Sequence, residues 1–136
     1  MKIIVRPARP EDAELLAEAD RHVTRERMRK LVSDGFVLAA FCGDSFAGWL
    51  RYGLFWDGTP FMNMLFVLEE YRGNGIGTAL VREWERLAAE NGHDTVMTST
   101  QANETSQHFY RKLGYRDLGG FTPFGEEFEI IMGKQI

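Results

Sequence analysis

The stretch that most constrains this chain runs from Phe61 to Asn91. An apolar segment, Phe61-Met-Asn-Met-Leu-Phe-Val-Leu68, passes through Glu69-Glu70-Tyr71 into the turn Arg72-Gly-Asn-Gly-Ile-Gly77. Beyond the turn, Ile76, Ala79, Leu80, Trp84, Leu87 and Ala88 recur at three- and four-residue steps, which predicts a helix with one apolar face. Arg82, Glu83, Glu85, Arg86 and Glu90 take the other positions, and Asn91-Gly92 supplies the stop. The segment before the turn is apolar at nearly every position, as in a strand covered on both faces. A glycine turn between a strand and a helix N-terminus suits an anion. Unpaired N–H groups converge there, the helix dipole adds about half a positive charge, and the glycines let the backbone approach closely. A phosphorylated ligand is expected at Arg72–Thr78.

Three phosphate-binding patterns compete for this turn. A Walker-type loop requires a Lys and a Ser or Thr after four intervening residues, and no lysine follows here. A dinucleotide fingerprint requires an acidic residue at the end of the next strand, whereas Asp94 precedes that strand. The spacing present is Arg72-x-x-Gly75-x-Gly77. It resembles the acyl-CoA pyrophosphate loop of the GNAT superfamily of N-acetyltransferases, Gln/Arg-x-x-Gly-x-Gly/Ala. A second block, Asn103-Glu-Thr-Ser-Gln-His-Phe-Tyr-Arg-Lys-Leu-Gly-Tyr115, is similar to that family's Asn-x-x-Ala/Ser-x-x-Phe-Tyr-x-x-Leu-Gly-Phe/Tyr. Both occur in the family's order, so the resemblance extends over almost the whole chain.

Taken in order, Lys2–Arg6 reads as a strand ended by Pro7, and Pro10-Glu11-Asp12 opens a helix with Leu15, Leu16 and Ala19 as its stripe. Thr24 caps a second helix that ends at Asp34-Gly35, with Met28, Leu31 and Val32 inward and Arg25, Arg27, Arg29 and Lys30 as a solvated face. Phe36–Cys42 and Phe46–Phe55 form a hairpin, and Asp57-Gly58 turns into the central strand. Asp94–Thr100 is a strand, 103–113 a helix, and 115–118 with 127–132 a closing strand pair around an aromatic loop. The expected class is α/β (α+β): a GNAT-like mixed, mostly antiparallel sheet of six to seven strands flanked by four helices, in one domain over 1–136.

The resemblance assigns roles residue by residue. The N–H groups of Gly73, Asn74, Gly75, Ile76, Gly77 and Thr78, with Arg72, would hold the pyrophosphate of acetyl-CoA. Backbone around Leu65, Phe66 and Val67 would pair with pantetheine as an added strand. Asn103 would hydrogen-bond the pantetheine arm, or cap the helix beside it; both readings stand. Tyr110 would bind the cofactor and give a proton to the CoA thiolate, a transfer between a phenol near 10 and a thiol near 8.5. Many family members carry a glutamate in the central strand or its neighbour; here Asn63 is the only polar side chain from Phe61 to Leu68, and no base is named. The acceptor would be shaped by Arg21–Thr24, Trp56–Thr59 and Phe121–Phe124, with Trp49, Tyr52, Phe55 and Trp56 serving either that pocket or the core.

Composition narrows the rest. A net charge of −4 argues against general nucleic-acid binding. The single cysteine, Cys42, fits a reducing compartment, and no His/Asp/Glu spacing suggests a metal. Met1-Lys-Ile-Ile-Val5 reaches Arg6 too early for a signal peptide, and no run is long enough to span a membrane. The expectation is a cytoplasmic acetyl-CoA-dependent N-acetyltransferase that acts on a small-molecule or peptide amine by direct attack. The resemblance alone implies a homodimer. A non-catalytic acyl-CoA-binding or regulatory module of the same fold is the alternative, and a nucleotide-binding protein using the glycine turn is a third class.

Overall fold

The computed structural model describes residues 2–136, so Met1 in the N-terminal reading lies outside the described residues. Among the described residues seven strands and four α-helices follow one another: β1 Ile3–Pro7, α1 Ala13–Ala19, α2 Arg25–Ser33, β2 Val37–Cys42, β3 Ser45–Phe55, β4 Thr59–Val67, α3 Ile76–Glu90, β5 Thr95–Gln101, α4 Ser106–Lys112, β6 Arg116–Phe121 and β7 Glu129–Gln135. The strand order is β1-β2-β3-β4-β5-β7-β6. The pairs β1–β2, β2–β3, β5–β7 and β6–β7 are antiparallel, and β4–β5 is parallel. The mixed, mostly antiparallel sheet with four helices is therefore the expected one.

The chain clusters into two units: one takes the chain up to Tyr52 together with Met64–Trp84, the other Gly53–Asn63 with Glu85–Ile136. In the first unit, Ala13, Leu16, Met28, Leu31, Val32, Val37 and Trp49 form a buried cluster against which Met64 and Leu68 pack. Trp49 is thus a core residue. The stripe of α1 is Ala13 and Leu16 with the expected Ala19 packed partly buried beside them, while Leu15 is exposed. Thr24 caps α2 as expected, accepting from the Arg27 N–H at 3.1 Å. Two of the basic residues on α2, Arg25 and Arg29, pair with Glu14, and Lys30 pairs with Asp34.

Beneath this cluster, Asp20 is buried and accepts from Arg51 Nε at 2.8 Å, Trp49 Nε1 at 3.1 Å and the His22 N–H at 3.1 Å. Burial raises the Asp20 pKa, but the hydrogen bonds from Arg51, His22 and Trp49, together with the Arg51 charge, outweigh it and leave the carboxyl below its ordinary value. The network fixes the start of the Arg21–Thr24 loop.

In the second unit, β5 runs beside β7 from Thr95↔Gln135 to Gln101↔Glu129. Its parallel ladder with β4 consists of Phe61↔Met97 and Met62↔Thr98. The turn into β4 centres on Trp56 and Asp57, with φ of 52° and 61°, and closes through a Gly58 N–H bond to Phe55. Two successive positive φ values are what a right-twisted hairpin turn requires. It therefore lies one residue before the expected Asp57-Gly58. Glu85, on the polar side of the α3 pattern, is buried, receiving the Tyr115 hydroxyl at 2.8 Å and Lys134 Nζ at 3.0 Å.

Candidate active site

In the first unit, β4 delivers the chain to the glycine turn. Gly48 on β3 sits so close to β4 that an added Cβ would lie 2.5 Å from the Phe66 carbonyl oxygen and 3.2 Å from the Val67 Cα. Leu65 and Val67 are half-buried and Phe66 is exposed, so the expectation of a strand covered on both faces fails toward its C-terminal end. The Arg72 guanidinium lies 5.1 Å above the Phe66 ring, and its Nε donates to the Val67 carbonyl at 2.8 Å. Asn74 Nδ2 closes the turn onto the carbonyls of Tyr71 and Arg72 at 3.1 and 3.2 Å.

Gly73 and Gly75 have φ of 79° and 81°, the left-handed region, and a Cβ at either would meet nothing within 4 Å. The first turn bond of α3 runs from the Ala79 N–H to the Gly75 carbonyl at 3.0 Å. Among the described residues, the N–H groups from Gly73 to Thr78 make no turn or cap bond to another backbone carbonyl. Six donors at and just before the N-terminus of a fifteen-residue helix, beside an arginine and with open space at Gly73 and Gly75, are an arrangement that can receive an anion.

The second unit carries the other motif. The helix cap falls on Thr105, and Asn103 stands exposed in the turn before it, so the reading of Asn103 as the N-cap is overturned. Thr100 and Ser106 share a 2.7 Å hydrogen bond that ties α4 to β5. Tyr110 is buried, with its ring against Phe109 and Tyr115. Burial pushes its phenol up to about 12, opposed by a hydrogen bond with Thr98 and reinforced by the charge of Glu104. Thr98 in turn donates to the Met62 carbonyl at 3.0 Å. Tyr110 is therefore a neutral phenol across the physiological range. Arg111 is held by Asp117 and Gln107.

Also in this unit, the ends of β3 and β6, the middles of β4 and β5 and the start of β7 line a cavity of about 420 Å³. Phe55, Phe61, Phe121 and Ile131 line it, with Asn63, Ser99 and Glu129 as its polar groups. Sequence reasoning missed Ser99 and Glu129. Both alternate with core residues on their strands, but only the β5–β7 register reveals that they face the same side. Trp56 is almost fully exposed and borders an adjoining cavity of about 510 Å³ that shares Phe55 and Ile131.

A family model described as the acetyltransferase (GNAT) family matches residues 4–115. No curated protein matches the chain in sequence. Among solved structures, the chain is similar to the PaiA N-acetyltransferase from Thermoplasma acidophilum in complex with coenzyme A (20% identity, TM-score 0.75, all of both chains). It is similar to Naa50 of Arabidopsis thaliana in complex with the bisubstrate analogue CoA-Ac-MVNAL (18%, TM-score 0.80, all of both chains). It is also similar to the ribosomal-protein-S18-alanine N-acetyltransferase of Escherichia coli (16%, TM-score 0.78, 99% of this chain and 94% of that one). At these identities the structures establish the fold, and the family model extends over both motifs. The chain belongs to the acetyltransferase (GNAT) family and is an acetyl-CoA-dependent N-acetyltransferase.

Proposed function

We propose that the chain transfers an acetyl group to a primary amine by direct attack, without an acetyl-enzyme intermediate. The open, left-handed turn at Gly73 and Gly75 with its free N–H groups supports the use of acetyl-CoA in this reading, because such a cradle accepts a pyrophosphate without moving the backbone. Arg72 adds charge from the position its Val67 and Phe66 contacts give it. The strand end at Leu65, Phe66 and Val67, where Phe66 is exposed, would pair with pantetheine in the manner of an added strand, and the same reading assigns Asn103, which is exposed and does not cap α4, a hydrogen bond to pantetheine.

Acetyl-CoA supplies a thioester whose carbonyl carbon forms the new C–N bond as its C–S bond breaks. The amine loses a proton in the process and the departing thiolate gains one. Tyr110 stands at the acid end: its neutral phenol donates a hydrogen bond to developing thiolate charge. A thiol ionises near 8.5, so full transfer from a phenol held at about 12 costs about 5 kcal/mol unless thiolate and product amine are balanced in one step. Donation rather than prior ionisation is thus its main contribution. The same reading takes residues 1–136 as one catalytic domain working in the cytoplasm on a small-molecule or peptide amine. The peptide option draws support from the analogue bound to the similar Naa50.

Thiol release from acetyl-CoA, followed with a panel of primary amines, tests it. Tyr110→Phe is expected to lower kcat on the order of a hundredfold with acetyl-CoA binding unchanged. An unaltered kcat would remove Tyr110 from the chemistry.

A further inference from the structure

The cavity beside β7 combines aromatic walls with a single carboxylate. Along β7, Ile130 and Met132 are buried in the core, so the alternation of a strand turns Glu129 and Ile131 to the opposite face, where both line the cavity. Ser99 stands opposite Ile131 in the β5–β7 register, and Gln101 stands opposite Glu129. The Gln101 amide is already committed, donating from Nε2 to Glu126 at 2.8 Å. Among the described residues, no hydrogen bond or ion pair engages the Glu129 carboxylate. Every other charged side chain is absent from the lining; Asn63 and Ser99 are its neutral polar groups.

A half-buried carboxylate facing Phe55, Phe61, Phe121 and Ile131 is poorly solvated on that side, and a cation that enters the cavity restores what burial removed. The aromatic faces attract the same charge and pack against an apolar body. From this geometry we propose that Glu129 is the specificity-determining residue for the acceptor: the cavity takes an ammonium group borne on an aromatic or aliphatic body, anchored by the Glu129 carboxylate. The inference rests on the acetyltransferase reading and deepens it by giving the acceptor a chemical class. Asn63 and Ser99 supply the neutral hydrogen bonds that orient the nitrogen, whose ammonium proton passes to water before its lone pair attacks, and the cavity volume of about 420 Å³ is ample for a group of phenylethyl size.

The test uses the full chain with two probes of one shape, 2-phenylethylamine and its uncharged analogue 2-phenylethanol, in competition and turnover assays. Wild-type protein is expected to bind the amine at least tenfold tighter than the alcohol and to acetylate it. Glu129→Gln should raise the KM for the amine at least tenfold, erase the preference over the alcohol, and leave the acetyl-CoA thermal shift unchanged; Glu129→Asp should recover part of the preference. Equal preference in wild type and Glu129→Gln overturns the proposal. So does turnover of other amines with no binding of 2-phenylethylamine. If acetyl-CoA itself gives no shift on wild type, the acetyltransferase reading fails, a result read independently of Glu129.

Discussion

Gly48 carries no side chain because β4 leaves no room for one. A Cβ 2.5 Å from the Phe66 carbonyl meets backbone, which cannot swing aside as a flexible side chain would. Gly48→Ala should therefore cost about 1–3 kcal/mol, read as a fall of several degrees in Tm. It should also weaken acetyl-CoA binding, since the strand it displaces carries Leu65–Val67; unchanged stability and affinity would contradict the close approach. Single residues were unevenly legible. Tyr110 was singled out because a motif surrounds it, yet the rise of its phenol to about 12 comes from burial, which the motif does not display. Asn103 looked like a cap because asparagine is a favoured cap residue, and the cap position instead falls two residues past it at Thr105, with α4 starting at Ser106. Glu85 fell on the polar side of the helical pattern. Its burial depends on Tyr115 and Lys134, which no periodicity announces.

At the scale of elements, β4, the glycine turn and α3 were readable because local signals set them: apolar run, left-handed glycines, three- and four-residue spacing, Asn-Gly stop. The hidden element-level tie is Asp20 with Arg51 and Trp49, which joins the end of α1 to β3. Asp20→Asn leaves Arg51 buried without its counter-charge and is expected to cost about 3–5 kcal/mol, with Tm lower by roughly 10 °C or more. The pH dependence follows from the lowered Asp20 pKa. The unfolded carboxyl takes its proton first as pH falls, near 3.9, so the pair's stabilisation is complete above that value. It is lost as pH drops further, through the folded value. Asp12, which burial raises but the Arg6 hydrogen bond, the Arg9 N–H and their charges lower more, adds to the same slope. Urea unfolding between pH 5 and 2 should show wild-type stability falling below about pH 4, and a shallower fall in Asp20→Asn. Parallel curves would remove Asp20 as a contributor.

For the whole molecule, the order of elements was legible and the strand order was not. Placing β5 parallel to β4, and β7 between β5 and β6, depends on long-range pairing that a single sequence does not display. The class followed from two short motifs in one order, and the family model over residues 4–115 agrees with it. No helix among the described residues is long and apolar enough to cross a membrane. The account as a whole stands on the cradle at Gly73–Thr78. The direct measurement is a thermal shift with acetyl-CoA, CoA, NAD and ATP on wild type and Gly75→Asp. Aspartate tolerates the left-handed conformation but puts a carboxylate where the phosphate would lie. At a hundred times its dissociation constant a ligand stabilises by about 2.7 kcal/mol, worth several degrees. The account predicts that shift with acetyl-CoA and CoA only, and its loss in Gly75→Asp. No shift with CoA, or an equal shift in the variant, would contradict it.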